Sequence, residues 1–126
     1  MNKNILKQGI NEFIEGGLDE ENKQRFRLAV TAYFKAISQI CDLILFEKIG
    51  FMPKNHSERF RILEKNNKEL YFLVDTTFKM YRDTYSKEMD KELCKKIRNE
   101  ISKIIAISGI REDFQEIIQK ISRKNS

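Results

Sequence analysis

The residues whose types and spacing suit chemistry fall in two short stretches, Lys54-Asn55-His56-Ser57-Glu58-Arg59-Phe60-Arg61 and Tyr81-Arg82-Asp83-Thr84-Tyr85. His56 is the single histidine of the chain, and no other side chain changes charge so close to neutral pH. It stands at a predicted helix start, where unpaired backbone N–H groups favour an anion, and the guanidiniums of Arg59 and Arg61 can add to that attraction. The plainer alternative is that His56 caps the helix or packs over its first turn. In the second stretch Tyr81 and Tyr85 are four apart and share a helix face, which leaves Arg82 on the adjacent one. Arg82 can bind a phosphate, or pair with Asp42 or another helix's carboxylate, while the tyrosines serve as core residues with one partner for each hydroxyl. Thr31, Lys35, Ser38 and Asp42 form a polar line at helical spacing. That line is either a solvated face or the border of a polar cleft.

Other chemistry is excluded by what the chain lacks. It carries no glycine-rich phosphate loop, no paired-histidine zinc motif, and no serine or cysteine set in a recognisable triad. Cys41 and Cys94, with one histidine, are too few for a four-ligand structural zinc site. No metal or other cofactor is therefore expected. Both cysteines lie in apolar helical stretches and read as buried free thiols.

These residues must be positioned by helices. One proline and five glycines in 126 residues leave long uninterrupted stretches, which favours helix. Residues 4–15 read as a short amphipathic helix bearing Leu6, Ile10, Phe13 and Ile14, stopped by Gly16-Gly17. Asp19 is expected to cap a second helix, with Glu20 and Glu21 at the positive end of its dipole. This helix, from Glu20 to Lys48, spans about 42 Å at the helical rise. Phe26, Val30, Tyr33, Ile37, Ile40 and Ile44 mark its main stripe, and Ala29, Phe34, Cys41 and Leu45 widen it. So broad an apolar face needs cover on more than one side, which predicts a homodimer.

Gly50 and Pro53 end that helix, and Asn55 with Glu58 forms a capping box for a third. Asn66-Asn67 separates it from a fourth carrying Leu70, Val74, Phe78, Tyr81 and Tyr85. A fifth starts near Asp90, carries Leu93, Ile97, Ile101, Ile104 and Ile105, and closes at Gly109. Phe114, Ile117, Ile118 and Ile121 mark a last short helix before a basic, frayed tail. The predicted fold is all-α: one domain, residues 1–126, an antiparallel bundle of five to six helices with short connections.

Three segments in order resemble the HEPN-domain family of small prokaryotic helical bundles. They are Ala32-Tyr33-Phe34-Lys35-Ala36-Ile37, Asn55-His56-Ser57-Glu58-Arg59-Phe60 and Tyr81-Arg82-Asp83-Thr84-Tyr85, within residues 20–106. The resemblance implies a homodimer that cleaves RNA without a metal, or a non-catalytic member that binds nucleotide or nucleic acid. It also implies a small nucleotidyltransferase-like protein partner of the antitoxin kind. The family's nuclease motif is an arginine followed after four to six residues by histidine. Arg82 matches its first half, but no histidine follows, and Tyr85 or Lys87 occupies that region.

The expected function is therefore binding of nucleic acid, nucleotide or a protein partner without catalysis, through His56, Arg59, Arg61, Arg82 and Tyr85. A formal charge of +5 suits an anionic ligand, and equally suits a lysine-rich solvated surface. The alternatives are a ribonuclease toxin using Arg82 with His56 or Tyr85, and a purely structural interaction module. No leader and no run of about 20 apolar residues is evident, so a cytoplasmic protein without a membrane segment is expected.

Overall fold

Gly16 and Gly17 do not stop the first helix. The computed structural model describes residues 3–125, and there α1 runs unbroken over Lys3–Asn22. Both glycines keep helical backbone, and Gly17 is needed for another reason. A Cβ at Gly17 would lie 2.4 Å from Tyr33 Cε1, so glycine lets the two helices close on that ring. The break falls at 23–25 instead, where Gln24 takes a left-handed φ of 62°. Asp19 and Glu20 thus close α1 through their carbonyls, which accept from Lys23 N at 3.2 Å and Arg25 N at 2.9 Å. They do not cap α2, which spans Phe26–Ile49 and has no side-chain cap.

The α2 helix is the axle of the fold. Antiparallel to it lies α1, tied at one end by the Lys3–Glu47 ion pair and at the other by Tyr33 Oη, which donates to Glu21 Oε1 at 2.7 Å. α3 (His56–Asn66), α4 (Lys68–Arg82) and α5 (Lys91–Ser108) complete the cover, and α6 (Gln115–Asn125) closes the bundle. Short 3-10 turns at Asp83–Tyr85 and Arg111–Phe114 connect α4 to α5 and α5 to α6. The described residues form six helices and no strand. Phe34, Cys41 and Leu45 are buried by helices of their own chain. The apolar surplus that motivates a dimer from sequence is therefore already covered, because α1, α4 and α5 all pack on α2.

Being buried on most sides makes α2 apolar nearly all round. Among the described residues it is the one helix that meets the length and hydropathy of a membrane span, and 72% of its most apolar window is inside the protein.

The capping box read at Asn55 and Glu58 forms, and Asn67, read only as a break, caps α4. Asn55 Oδ1 accepts from Glu58 N at 2.9 Å, and Glu58 Oε1 accepts from Lys54 N at 3.1 Å. Asn67 and Asp90 cap α4 and α5 through Leu70 N and Leu93 N. Gly50 and Gly109 take φ of 68° and 77° beyond α2 and α5, a region glycine enters without strain. The basic tail, in contrast, is docked: Lys124 Nζ donates to Asn22 Oδ1 at 2.5 Å, and Lys120 reaches Glu15.

Candidate functional site

Along α2 the polar line meets a cavity rather than open solvent. Lys35, Ser38, Gln39 and Asp42 line about 250 Å³ of space together with Phe13 of α1, Phe34, His56 and Arg59 of α3, and Tyr81 of α4. Thr31 stays outside, its hydroxyl donating to Arg27 O at 2.9 Å.

The floor is an ion pair. Arg59 Nε and Nη2 donate to the two carboxylate oxygens of Asp42 at 2.8 and 3.0 Å, and both residues are buried. Removing two charges from water is costly, and bidentate geometry offsets much of that cost. Asp42 is thereby paired with Arg59, not with Arg82. The remaining Arg59 nitrogen, Nη1, lies 2.7 Å from His56 Nδ1. A guanidinium can only donate, so Nδ1 accepts and the ring proton sits on Nε2. Partial burial holds the His56 pKa below its usual 6.5, the Arg59 charge lowers it further, and Asp42 opposes both.

The walls are aromatic. Phe34 stacks on Tyr81 with centroids 4.5 Å apart and planes 10° from parallel, and the His56 ring lies 5.7 Å from Phe34. Phe78 and Phe60 extend the cluster, meeting edge to face at 5.2 Å. Lys35 Nζ lies 5.8 Å over the Phe13 ring. Between floor and walls, the Ser38 hydroxyl is buried without a hydrogen-bond partner, in a residue 7% exposed. Gln39 Oε1 also lacks a partner, and it is turned against Gly9.

His56 and Arg59 share this cavity, while Arg61, Arg82 and Tyr85 lie outside it. Arg61 is exposed and 3.9 Å from Glu58. Arg82 sits 5.9 Å over the Phe78 ring. Tyr85 is 76% exposed, and its hydroxyl is 3.0 Å from that of Tyr81, a contact that raises the Tyr81 pKa. Phe13 and Gln39 were not singled out by sequence as site residues, since Phe13 reads as core and Gln39 carries no charge. The position of Gln39 beside Ser38 on the polar line is the signal that could have found it. Among the described residues no group of His, Cys, Asp and Glu is placed to hold a metal. Both cysteines are free and buried, and burial pushes the Cys94 thiol up to about 12.

No family model, curated protein or solved structure matches the chain, so the chemistry of this site stands on its own residues.

Proposed function

We propose that the chain is a non-catalytic, HEPN-like bundle, active as a homodimer, whose cavity takes the planar base of a nucleotide or nucleic acid. One observation carries this reading: aromatic walls meet a buried, unpartnered hydroxyl over a floor whose charges are already paired. A base has flat faces that stack on Tyr81, His56 or Phe13, and a polar edge that can satisfy Ser38. At about 250 Å³ the space is smaller than the ~300–1,000 Å³ of pockets that engulf a drug-sized ligand. It suits one base, leaving sugar and phosphate outside near Lys35, which lines the rim and is exposed.

RNA and DNA oligonucleotides and mononucleotides, titrated at low and raised salt, test the reading. Salt-weakened binding is expected, about fivefold to tenfold weaker in Ser38→Ala, the size of one lost hydrogen bond. No binding to any of these would reduce the protein to an interaction module for a protein partner, such as the nucleotidyltransferase-like one the resemblance implies.

The second reading is a metal-independent endoribonuclease. It is favoured by His56 and Arg82 both flanking Phe78, at 6.0 and 5.9 Å. Cleavage through the 2′-hydroxyl needs a base, an acid and charge stabilisation. The His56 Nδ1 lone pair is taken by Arg59, and a tyrosine at its ordinary pKa near 10 is a weak base. RNA left intact after incubation with the dimer removes this reading; cleavage lost in Arg82→Ala would establish it.

A further inference from the structure

A second polar centre lies where Glu21, near the end of α1, meets α5, and it is built around Arg98. This residue stands four after Cys94 and three before Ile101, inside the apolar stripe of α5, and is 3% exposed. Its Nη1 pairs with buried Glu21 of α1, and its Nη2 donates to Asn125 Oδ1 of α6 at 2.5 Å. Its Nε is buried and bonds nothing. The Glu21 carboxylate, the one acid here, is thus committed to Arg98 and to Tyr33 Oη.

Above this pair open two contiguous cavities. One of about 300 Å³ is lined by Glu21, Lys91, Lys95, Arg98, Lys124 and Asn125. The other, of about 210 Å³, shares Glu21, Lys91 and Lys124 with it. Four cations against one carboxylate leave three positive charges at one place, in a chain whose total is +5. Lys91 and Lys95 are exposed, have no ion-pair partner among the described residues, and repel one another four apart on one helix face. Asp90 accepts from Leu93 N as the cap of α5, and neither it nor Glu92 lines either cavity.

From this we infer that the pocket between the end of α1, the start of α5 and the end of α6 binds a ligand carrying two or more phosphates. A buried arginine fixed by Glu21 and Asn125 holds the floor rigid. Lys91 and Lys95 supply mobile ammonium donors around the mouth, beside Lys124 held by Asn22, as point charges suited to phosphate oxygens. The binding relieves the Lys91–Lys95 repulsion. The phosphates can belong to a free oligophosphate or to the backbone of a nucleic acid. The inference does not depend on the cleft at Ser38 and His56, which lies on the other side of Tyr33 along α2 and shares no residue with it.

Titration with inorganic tripolyphosphate, and separately with hexauridylate, followed by amide NMR shifts, tests it. Shifts at Lys91, Lys95 and Asn125 report this pocket, whereas shifts at Ser38 and His56 report the cleft. Both ligands are expected to weaken with salt, and the Lys91→Gln/Lys95→Gln double variant to bind at least about tenfold more weakly, the loss of a charge-assisted contact. A Lys65→Gln/Lys79→Gln control removes the same charge from exposed sites elsewhere and should leave affinity within about twofold. Tripolyphosphate binding alone assigns a free oligophosphate; tighter hexauridylate binding assigns a nucleic-acid backbone. Equal weakening in the control, or no shift at Lys91, Lys95 and Asn125 with either ligand, overturns the inference.

Discussion

His56 shows how one side chain's chemistry is set by its neighbour. Its spacing from Arg59 on one helix turn was visible in sequence, but not that Arg59 would reach past it to Asp42 on another helix. The result is an imidazole held neutral with Nδ1 accepting. The folded protein lowers the His56 pKa, whereas the unfolded chain takes up a proton near 6.5. The stability this contributes is complete above about 6.5 and is lost as pH falls through the lower, folded value. Urea midpoints measured from neutral pH to about pH 5 should fall more steeply for the wild type than for His56→Gln. Identical slopes would place the titrating group elsewhere. With one histidine in the chain, its NMR titration reads the shift without overlap.

At the scale of elements, the Asn55 cap and the closing Gly50 and Gly109 were legible, whereas the Asp19 cap and the Gly16-Gly17 stop were not. Asn55, Asn67 and Asp90 act within three residues of themselves, so their local sequence decides their role. A glycine can end a helix or admit a neighbour, and only packing separates the two. Gly16 meets nothing within 4 Å of an added Cβ, whereas Gly17 meets Tyr33. Gly16→Ala should therefore stabilise α1 by about 0.5–1 kcal/mol, the helix-interior advantage of alanine. Gly17→Ala should destabilise by about 1–3 kcal/mol, because the buried Tyr33 ring and its bond to Glu21 must shift. Paired urea melts check both. A Gly17→Ala protein as stable as the wild type would show that the α1–α2 spacing can relax.

For the whole molecule, the open quantity is the number of chains. The apolar circumference of α2 no longer argues for a partner, since one chain buries Phe34, Cys41 and Leu45. Among the described residues the large hydrophobic side chains left exposed are Ile5, Leu28, Ile49, Phe51, Phe72, Tyr85 and Ile107, and a homodimer would have to draw on these. Sedimentation equilibrium at micromolar concentration should give twice the 15.0 kDa chain mass. A single species at the chain mass would remove the dimer, and with it any cleft shared between two copies of Arg82.

The sequence by itself determined the helical class, the Asn55 cap, the ends at Gly50 and Gly109, and the burial of both cysteines, because these follow from spacing and neighbouring side chains. It also brought Lys35, Ser38 and Asp42 to one face of α2, since a helix repeats every 3.6 residues. Whether that face met water or a cleft was decided by Arg59 of α3 reaching Asp42 and by Tyr81 of α4 stacking on Phe34. Likewise Glu21 and Arg98, 77 residues apart, become one buried pair only when α1 and α5 both pack on α2. Charges alone in sequence read as solvated, and only the tertiary fold can remove the water from both members of a pair at once.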